Sequence, residues 1–318
     1  MTSPAAMRLR DADRQCAQLV RHYENFTVAS RLAPRRLRRD LTRVYAYART
    51  TDDIGDETGD ARVATDRLIA WREQVVALFA GRPVTHPVLV ALAPTVRAHQ
   101  LPEQPFLDLI DANLQDQTTA QYEDWPALLG YCRLSAAPVG RIVLQLFGVR
   151  EERAQALSDD VCIGLQLANF AQDVSIDSAR RRTYLLQADL RARGEVSAVA
   201  SMCERARALL ESGRELEAMV RGRLRFQLAL YRLGGEAILD AVAKMGFRTA
   251  KTRPVVSRAA RLGILGGAMR AVGARVTPEG RIPPVELRGD RREGALRRQD
   301  PRFVKDSAAA RVAEHRGA

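Results

Sequence analysis

Apolar residues recur three and four positions apart along most of this chain, which is the spacing of one face of an α-helix. The pattern is clearest in two sets, Leu68, Trp71, Val75, Leu78 and Phe79, and Leu224, Leu228, Tyr231, Ile238, Leu239, Val242 and Met245. Breaks fall where Pro and Gly cluster, and strands do not alternate with the helices. The 318-residue chain is therefore predicted to be all-α, with one helical domain over residues 12–275.

The last part of the sequence has a different composition. Residues 276–318 are rich in Pro, Gly and mixed charge and poor in large apolar side chains. Such a segment buries too little apolar surface to offset the entropy lost on ordering. We therefore expect a disordered C-terminal tail.

The net charge of +12 raises nucleic acid or an anionic membrane as a partner. However, the chain has lysine only at Lys244, Lys251 and Lys305. Apart from histidine, every other basic residue is arginine. That bias suggests a GC-rich genome as much as selection for charge. No basic run is interleaved with aromatic residues as RNA-binding sheets require. We expect no nucleic acid partner.

The cysteines indicate a reducing compartment. Cys16, Cys132, Cys162 and Cys203 lie far apart and form no CxxC pair, which is typical of reduced thiols in a cytosolic protein. The N-terminal residues lack the apolar core of a signal peptide. No stretch approaches roughly 18 consecutive apolar residues. We expect a cytoplasmic protein without a membrane span.

Two acidic clusters share one spacing. Asp52 and Asp56 stand four residues apart, as do Asp173 and Asp177 about 120 residues later. If both segments are helical, each pair lies on one helix face, where like charges repel. Two such faces turned toward each other would form an oxygen cage suited to Mg²⁺. The ligand expected for that cage is a diphosphate.

The second cluster follows an unusually apolar stretch, residues 161–172, which is predicted to be a buried helix. Its polar residues recur at spacings of three, four and four and form one stripe, Gln166, Asn169, Asp173 and Asp177. Buried carboxylates without partners are costly, so this stripe needs a ligand or cations.

Taken together, these motifs resemble the squalene/phytoene synthase family, whose members join or rearrange prenyl diphosphates head to head. The resemblance is carried by the segments 45–56, 166–177 and 182–185, by Tyr131, and by Ala136-Ala137-Pro138-Val139-Gly140. It implies an all-α isoprenoid synthase fold, a terpenoid synthase bundle with a central cavity. The segment 22–30 resembles the hydroxysqualene synthase branch of bacterial hopanoid biosynthesis.

The chain departs from the family pattern at three positions. Gln172 stands where other branches often carry Arg before the Asp, which suggests altered handling of the diphosphate. Arg181 stands where Gly is usual, and Leu186 where Pro is common. The last two lie in a loop that would cap the site.

The resemblance implies a role for each matching residue. Asp52, Asp56, Asn169, Asp173 and Asp177 would hold Mg²⁺. Arg49 and Arg182 would grip phosphate oxygens, and Tyr45 and Tyr184 would hydrogen-bond the leaving group, so that Tyr45, Arg49 and Tyr184 form the expected catalytic set. Substrate would also contact a further set of residues, His22, Phe26, Tyr131 and Gln166.

The implied reaction is Mg²⁺-dependent conversion of presqualene diphosphate and water to hydroxysqualene and diphosphate. Alternatives within the family are presqualene diphosphate synthase, squalene synthase using NADPH, and phytoene synthase. An alternative of another class is a catalytically silent helical protein that docks on membranes or partners. Transient contact with neighbouring pathway enzymes is also expected.

The segment from Arg253 to Arg275 mixes arginines with large apolar residues. It predicts either an amphipathic helix that rests on anionic lipid or an ordinary packed last helix. The first alternative would place the protein peripherally on the inner face of the membrane.

Overall fold

The computed structural model of the protein describes residues 4–21, 33–56 and 59–273. Within these ranges the chain forms thirteen helices, α1 (Pro4–Arg21), α2 (Arg38–Asp56), α3 (Ala61–Phe79), α4 (Pro87–His99), α5 (Gln104–Asp116), α6 (Trp125–Ser135), α7 (Ala137–Leu146), α8 (Glu152–Gln172), α9 (Val174–Ala179), α10 (Gln187–Glu211), α11 (Gly213–Met219), α12 (Gly222–Lys244) and α13 (Arg258–Gly273).

The predicted all-α class is confirmed. Among the described residues, the only β-structure is an isolated β-bridge between Gln121 and Thr183. The bounds 12–275 stay a prediction, and the predicted disordered tail lies outside the described residues, as do His22 and Phe26.

Several helices begin at residues that cap their free N–H groups. Asp60 accepts hydrogen bonds from the backbone N–H groups of Arg62 and Val63, and Asp124 accepts one from Ala127. Proline follows the cap in α4 and lies in the first turn of α6, where its missing N–H group is no loss. These local signals fix where α3, α4 and α6 start.

The helix that carries the first aspartate pair, α2, is anchored by aromatic packing. Tyr47 is fully buried and donates a hydrogen bond of 2.8 Å to the carbonyl oxygen of Phe106 in α5. The indole N–H of Trp71 in α3 donates to the hydroxyl of Thr51 at 3.0 Å. Because both polar groups are satisfied, these large rings can be buried without an unpaired donor.

The helix that leads into the second pair, α8, packs against α7, α10, α11 and α12. Its last three turns are buried as the sequence predicted, and it contributes Ile163, Leu167, Ala168 and Ala171 to the core. Gly164 allows the close approach of α10, since a Cβ atom there would lie 3.1 Å from the carbonyl oxygen of Ala206. The core therefore fixes α2, which carries the first pair, and α8, which ends one residue before Asp173.

By length and composition alone, the stretch Trp125–Leu146 could cross a membrane. It consists of two helices, α6 and α7, which meet at Ala136. Leu128, Cys132 and Ile142 from this stretch belong to the protein core. Its apolar character is thus explained by packing within the bundle.

Candidate active site

The first aspartate pair lies at the C-terminal end of α2. Asp52 and Asp56 occupy the last two turns, and Arg49 lies one turn earlier. All three line one cavity of about 330 Å³. Acidic side chains at a helix C-terminus face the negative end of the helix dipole, so this position favours a bound cation.

The second pair, Asp173 and Asp177, lines the same cavity, although it lies about 120 residues later in the sequence. The helix is not continuous as the sequence suggested: α8 ends at Gln172, and α9 starts at Val174. The backbone N–H of Asp173 donates to Asn169 at 2.8 Å, and that of Asp177 donates to Asp173 at 2.9 Å. The four-residue spacing therefore survives the break, and all three side chains still reach the cavity.

The cavity brings together most of the residues that the sequence singled out. Its lining comprises Arg49, Asp52, Asp56, Leu109, Ala112, Asn113, Asp116, Tyr131, Ser135, Gln166, Asn169, Phe170, Asp173, Asp177, Arg180, Arg182 and Tyr184. Tyr45 instead packs against the core cluster around α2 and is not part of this lining. Its expected contact with a leaving group stays a prediction.

Sequence reasoning missed the contribution of α5. The amide of Asn113 donates to the carboxylate of Asp52 at 3.3 Å, and the carboxylate of Asp116 accepts from the Tyr131 hydroxyl at 2.9 Å. Both residues lie on one helix face with Leu109 and Ala112. That spacing was visible in the sequence, but it resembles an ordinary amphipathic helix.

Three carboxyl groups in the cavity have raised pKa values. Asp52 is exposed at the surface, but the surrounding protein removes part of its hydration. This desolvation raises the pKa of Asp52 to about 6, and the nearby Asp56 also raises it. Burial likewise raises the pKa of Asp116 to about 6. Burial and the neighbouring Asp173 raise the pKa of Asp177 to about 6. The cavity therefore concentrates negative charge that a cation would relieve.

Arginine side chains compensate part of that negative charge. The Arg182 guanidinium lies 3.7 Å from the Asp56 carboxylate and 4.0 Å from that of Asp116. Arg49 forms an ion pair with Asp53, one turn along α2. Arg180, which the sequence analysis did not select, also lines the cavity. Guanidinium groups suit bidentate contact with phosphate oxygens.

The loop that carries Arg182 and Tyr184 is held by backbone hydrogen bonds. Thr183 donates to Ala120 at 2.9 Å, and Gln187 donates to Tyr122 at 2.9 Å. Arg181 has a φ of 60°, in the left-handed region that favours glycine. The resemblance to the family predicts glycine at that position, and here an arginine adopts the left-handed conformation.

Aromatic rings form one wall of the cavity. Phe170 and Tyr184 stack with ring centroids 3.8 Å apart, and Tyr131 stacks on Tyr184 at 5.7 Å. All three rings line the cavity beside the charged side chains.

A segment distant in sequence also contacts the second aspartate pair. Arg253 forms an ion pair with Asp173, and its guanidinium donates to the side-chain oxygen of Gln172 at 3.3 Å. The amide of Gln172 donates to the carbonyl oxygen of Pro254 at 2.8 Å. Gln172 therefore holds the segment that begins at Arg253 in place, so that Arg253 contacts Asp173.

The donor set fits Mg²⁺ by its chemistry. Four carboxylates and the amide of Asn169 offer hard oxygen ligands. Burial raises the pKa values of Asp52 and Asp177, so a cation beside them would favour their charged forms. In the described ranges, no three Asp, Glu, His or Cys groups are placed to hold a metal ion by themselves. Phosphate oxygens would complete the coordination, as is usual for Mg²⁺ in phosphate-handling sites.

Comparison with known proteins identifies relatives. Residues 19–260 match the family model for squalene/phytoene synthase. A hydroxysqualene synthase from Rhodopseudomonas palustris is 32% identical over 250 residues, which cover 74% of this chain and 82% of the relative. A phytoene synthase from Arthrospira platensis is 30% identical over 204 residues, which cover 60% of this chain and 65% of the relative.

Solved structures show the same fold. The squalene synthase HpnC from Alicyclobacillus acidocaldarius is 42% identical with a TM-score of 0.71, over 76% of this chain and 96% of that one. A dehydrosqualene synthase is 21% identical with a TM-score of 0.75, over 85% of this chain and 99% of the other. With its helical bundle and paired aspartates, the chain belongs to the squalene/phytoene synthase family.

Proposed function

We propose that the protein converts presqualene diphosphate and water to hydroxysqualene and diphosphate. One observation carries the proposal: both aspartate pairs, from α2 and from α8 with α9, line a single cavity together with three arginines. This arrangement suits a diphosphate leaving group held by cations and guanidinium groups. The similarity to hydroxysqualene synthases over most of the chain supports this branch of the family.

The charged residues would bind and activate the diphosphate. Arg182 is placed between Asp56 and Asp116 and would exchange these contacts for phosphate oxygens. The two aspartate pairs and Asn169 would hold Mg²⁺, which supplies positive charge that stabilises the departing diphosphate.

The apolar wall would handle the carbon skeleton. Cleavage of the carbon–oxygen bond sends the electron pair to the diphosphate and leaves a cyclopropylcarbinyl cation, which rearranges to an allylic cation. Phe170, Tyr131 and Tyr184 line the cavity, and their π-electrons would attract that charge. Water adds to the allylic cation and loses a proton, so no reductant is consumed.

A second candidate is a sister reaction of the same family. The similarity to phytoene synthases, such as the one from Arthrospira platensis, favours condensation of two prenyl diphosphates as the alternative. A silent docking protein would have no reason to keep five oxygen ligands around one cavity.

The experiment is an incubation with presqualene diphosphate and Mg²⁺ in ¹⁸O-labelled water, with and without NADPH, read by mass spectrometry. Labelled hydroxysqualene in both cases is the expected result. Squalene formed only with NADPH would assign the squalene synthase reaction. Farnesyl diphosphate giving presqualene diphosphate would assign the preceding step.

The metal site is tested by Asp52→Asn and Asp173→Asn, each of which should abolish Mg²⁺-dependent release of diphosphate. Asp52→Asn removes a repelling carboxylate, so its thermal melt without metal should be unchanged or higher. Asp173→Asn also loses the ion pair with Arg253, so its folding is checked by circular dichroism. Asp66→Asn, an exposed position on α3, serves as the matched control. Near-normal turnover in either site variant would refute the metal assignment.

A further inference from the structure

The last described helix, α13, has two unlike faces. One face packs on the bundle: Ala268 is fully buried, and Gly267 lies so close to α12 that a Cβ atom would be 2.8 Å from Leu233 Cδ1. The other face points to solvent, although it carries large apolar side chains. The exposed fractions are 71% for Leu262 and 64% for Met269.

Exposed apolar residues on this helix form a continuous row. Leu262, Leu265, Met269 and Val272 follow one another at spacings of three, four and three, and all are exposed. We name this row the α13 stripe. A surface helix of a globular protein usually turns its polar face outward. Single exposed apolar residues are normal, but a contiguous row marks an interaction surface.

The sequence that contains the stripe is basic. From residue 241 to residue 273 the sequence contains no Asp or Glu and seven basic residues, Lys244, Arg248, Lys251, Arg253, Arg258, Arg261 and Arg270. Arg258 and Arg261 precede Leu262 and Leu265 by four residues each, so they share the exposed face. This surface is complementary to a dense layer of negative charge.

We propose that the α13 stripe docks on an anionic phospholipid bilayer. Aliphatic side chains would enter the boundary between headgroups and acyl chains, while Arg258 and Arg261 contact lipid phosphates. An aliphatic row flanked by arginines, in a segment with no Asp or Glu, matches a phase that combines acyl chains with phosphate headgroups, which favours anionic lipid. Nucleic acid offers no apolar phase for the aliphatic row.

The proposed surface adjoins the cavity along the chain. Arg253 contacts Asp173 and Pro254 accepts from Gln172, and the next residue, Val255, is 72% exposed. A bilayer on the stripe would therefore lie beside the segment that meets the second aspartate pair. For a protein that acts on prenyl diphosphates, as proposed above, this is the phase in which polyprenyl chains dissolve.

Sedimentation with vesicles tests the proposal and needs no substrate, so its outcome is independent of the proposed reaction. The full chain should sediment with vesicles of phosphatidylcholine mixed with phosphatidylglycerol, and much less with phosphatidylcholine alone. Leu262→Ser combined with Met269→Ser should lower partitioning by at least about tenfold. Arg258→Gln combined with Arg261→Gln should lower it roughly fivefold for each arginine.

Matched controls come from α3, where Val63 and Ile69 are also exposed. Val63→Ser combined with Ile69→Ser should leave partitioning within about twofold of the unaltered chain, since these residues lie outside the stripe. Circular dichroism should show unchanged folding in every variant. A full chain that stays in the supernatant, or stripe variants that sediment normally, would overturn the proposal. So would binding to heparin in place of vesicles.

Discussion

A carboxyl group that folding makes harder to ionise destabilises the protein when it is charged. Asp116 is such a group: burial raises its pKa to about 6, while Arg182 and the Tyr131 hydroxyl oppose the shift. Its folded-state pKa lies above the ordinary value of 3.8, so the folded protein binds the proton more tightly than the unfolded chain. The contribution of Asp116 to the free energy of unfolding is fully present below about pH 4, and it is lost as the pH rises through about 6.

We therefore predict that the metal-free protein melts at a lower temperature at pH 7 than at pH 5, and that Asp116→Asn reduces this difference. The amide cannot ionise, so the cost of burying a charge disappears. Thermal melts at both pH values, with chelator present, measure the effect. Asp66→Asn should keep the full difference. A pH dependence in Asp116→Asn equal to that of the unaltered chain would contradict the assignment.

The side chain of Gln172 joins the end of α8 to the segment around Pro254. We predict that Gln172→Leu lowers the free energy of unfolding by about 1–3 kcal/mol, because it leaves the carbonyl oxygen of buried Pro254 without a donor. Urea denaturation measures the change. Gln145→Leu removes a similar bond, to the carbonyl oxygen of Gln100 at the surface, and should cost much less. Equal losses in both variants would show that burial of the Pro254 carbonyl does not matter.

At the scale of elements, the site depends on how closely α8 approaches its neighbours. A Cβ atom on Gly164 would lie 3.0 Å from Leu210 Cγ, 3.1 Å from the Ala206 carbonyl oxygen and 3.2 Å from Leu209 Cβ. None of these atoms is the free end of a flexible side chain. Any side chain at Gly164 must therefore push α10 away from the helix that carries Gln166 and Asn169.

We predict that Gly164→Ala lowers the free energy of unfolding by about 1–3 kcal/mol through overpacking. Gly234→Ala in α12 should raise it by about 0.5–1 kcal/mol, since alanine is the better helix former and nothing lies within 4 Å of a Cβ there. Denaturant titrations of the two variants are compared directly. Stabilisation by both changes would show that α8 and α10 have room to separate.

The polar stripe before and within the second aspartate cluster could be read from the sequence, and its role in binding stays a prediction. The stripe Gln166, Asn169, Asp173 and Asp177 was visible because carboxylates interrupt an apolar run, and the structure brings these side chains to the cavity. Asn113 and Asp116 were missed because α5 is amphipathic by ordinary packing. The contact of Arg253 with Asp173 joins residues 80 positions apart, and no local spacing encodes it.

At the scale of the whole molecule, the family match ends at residue 260 and the last described helix ends at Gly273. The sequence beyond has few large apolar residues with which to dock on the bundle. We predict that truncation after Ala274 keeps diphosphate release within a few-fold of the full chain. Truncation after Thr252, which also removes Arg253 and α13, should abolish it.

These truncations are measured by metal-dependent release of diphosphate, with circular dichroism as the check on folding. A folded but inactive chain ending at Ala274 would show that the tail contributes to the site. Full activity after truncation at Thr252 would show that Arg253 and α13 contribute nothing.

The backbone bonds that join residues 120–123 to residues 183–188 have a consequence for how the cavity can change. Main-chain N–H and C=O groups make these bonds, so they are largely independent of which side chains the loop carries. Arg182, whose side chain reaches the cavity from this loop, can therefore be replaced without displacing the loop backbone, whereas Tyr184 is itself part of the aromatic wall. A substitution at Arg182 would then change the charge of the cavity while the backbone around it keeps its course.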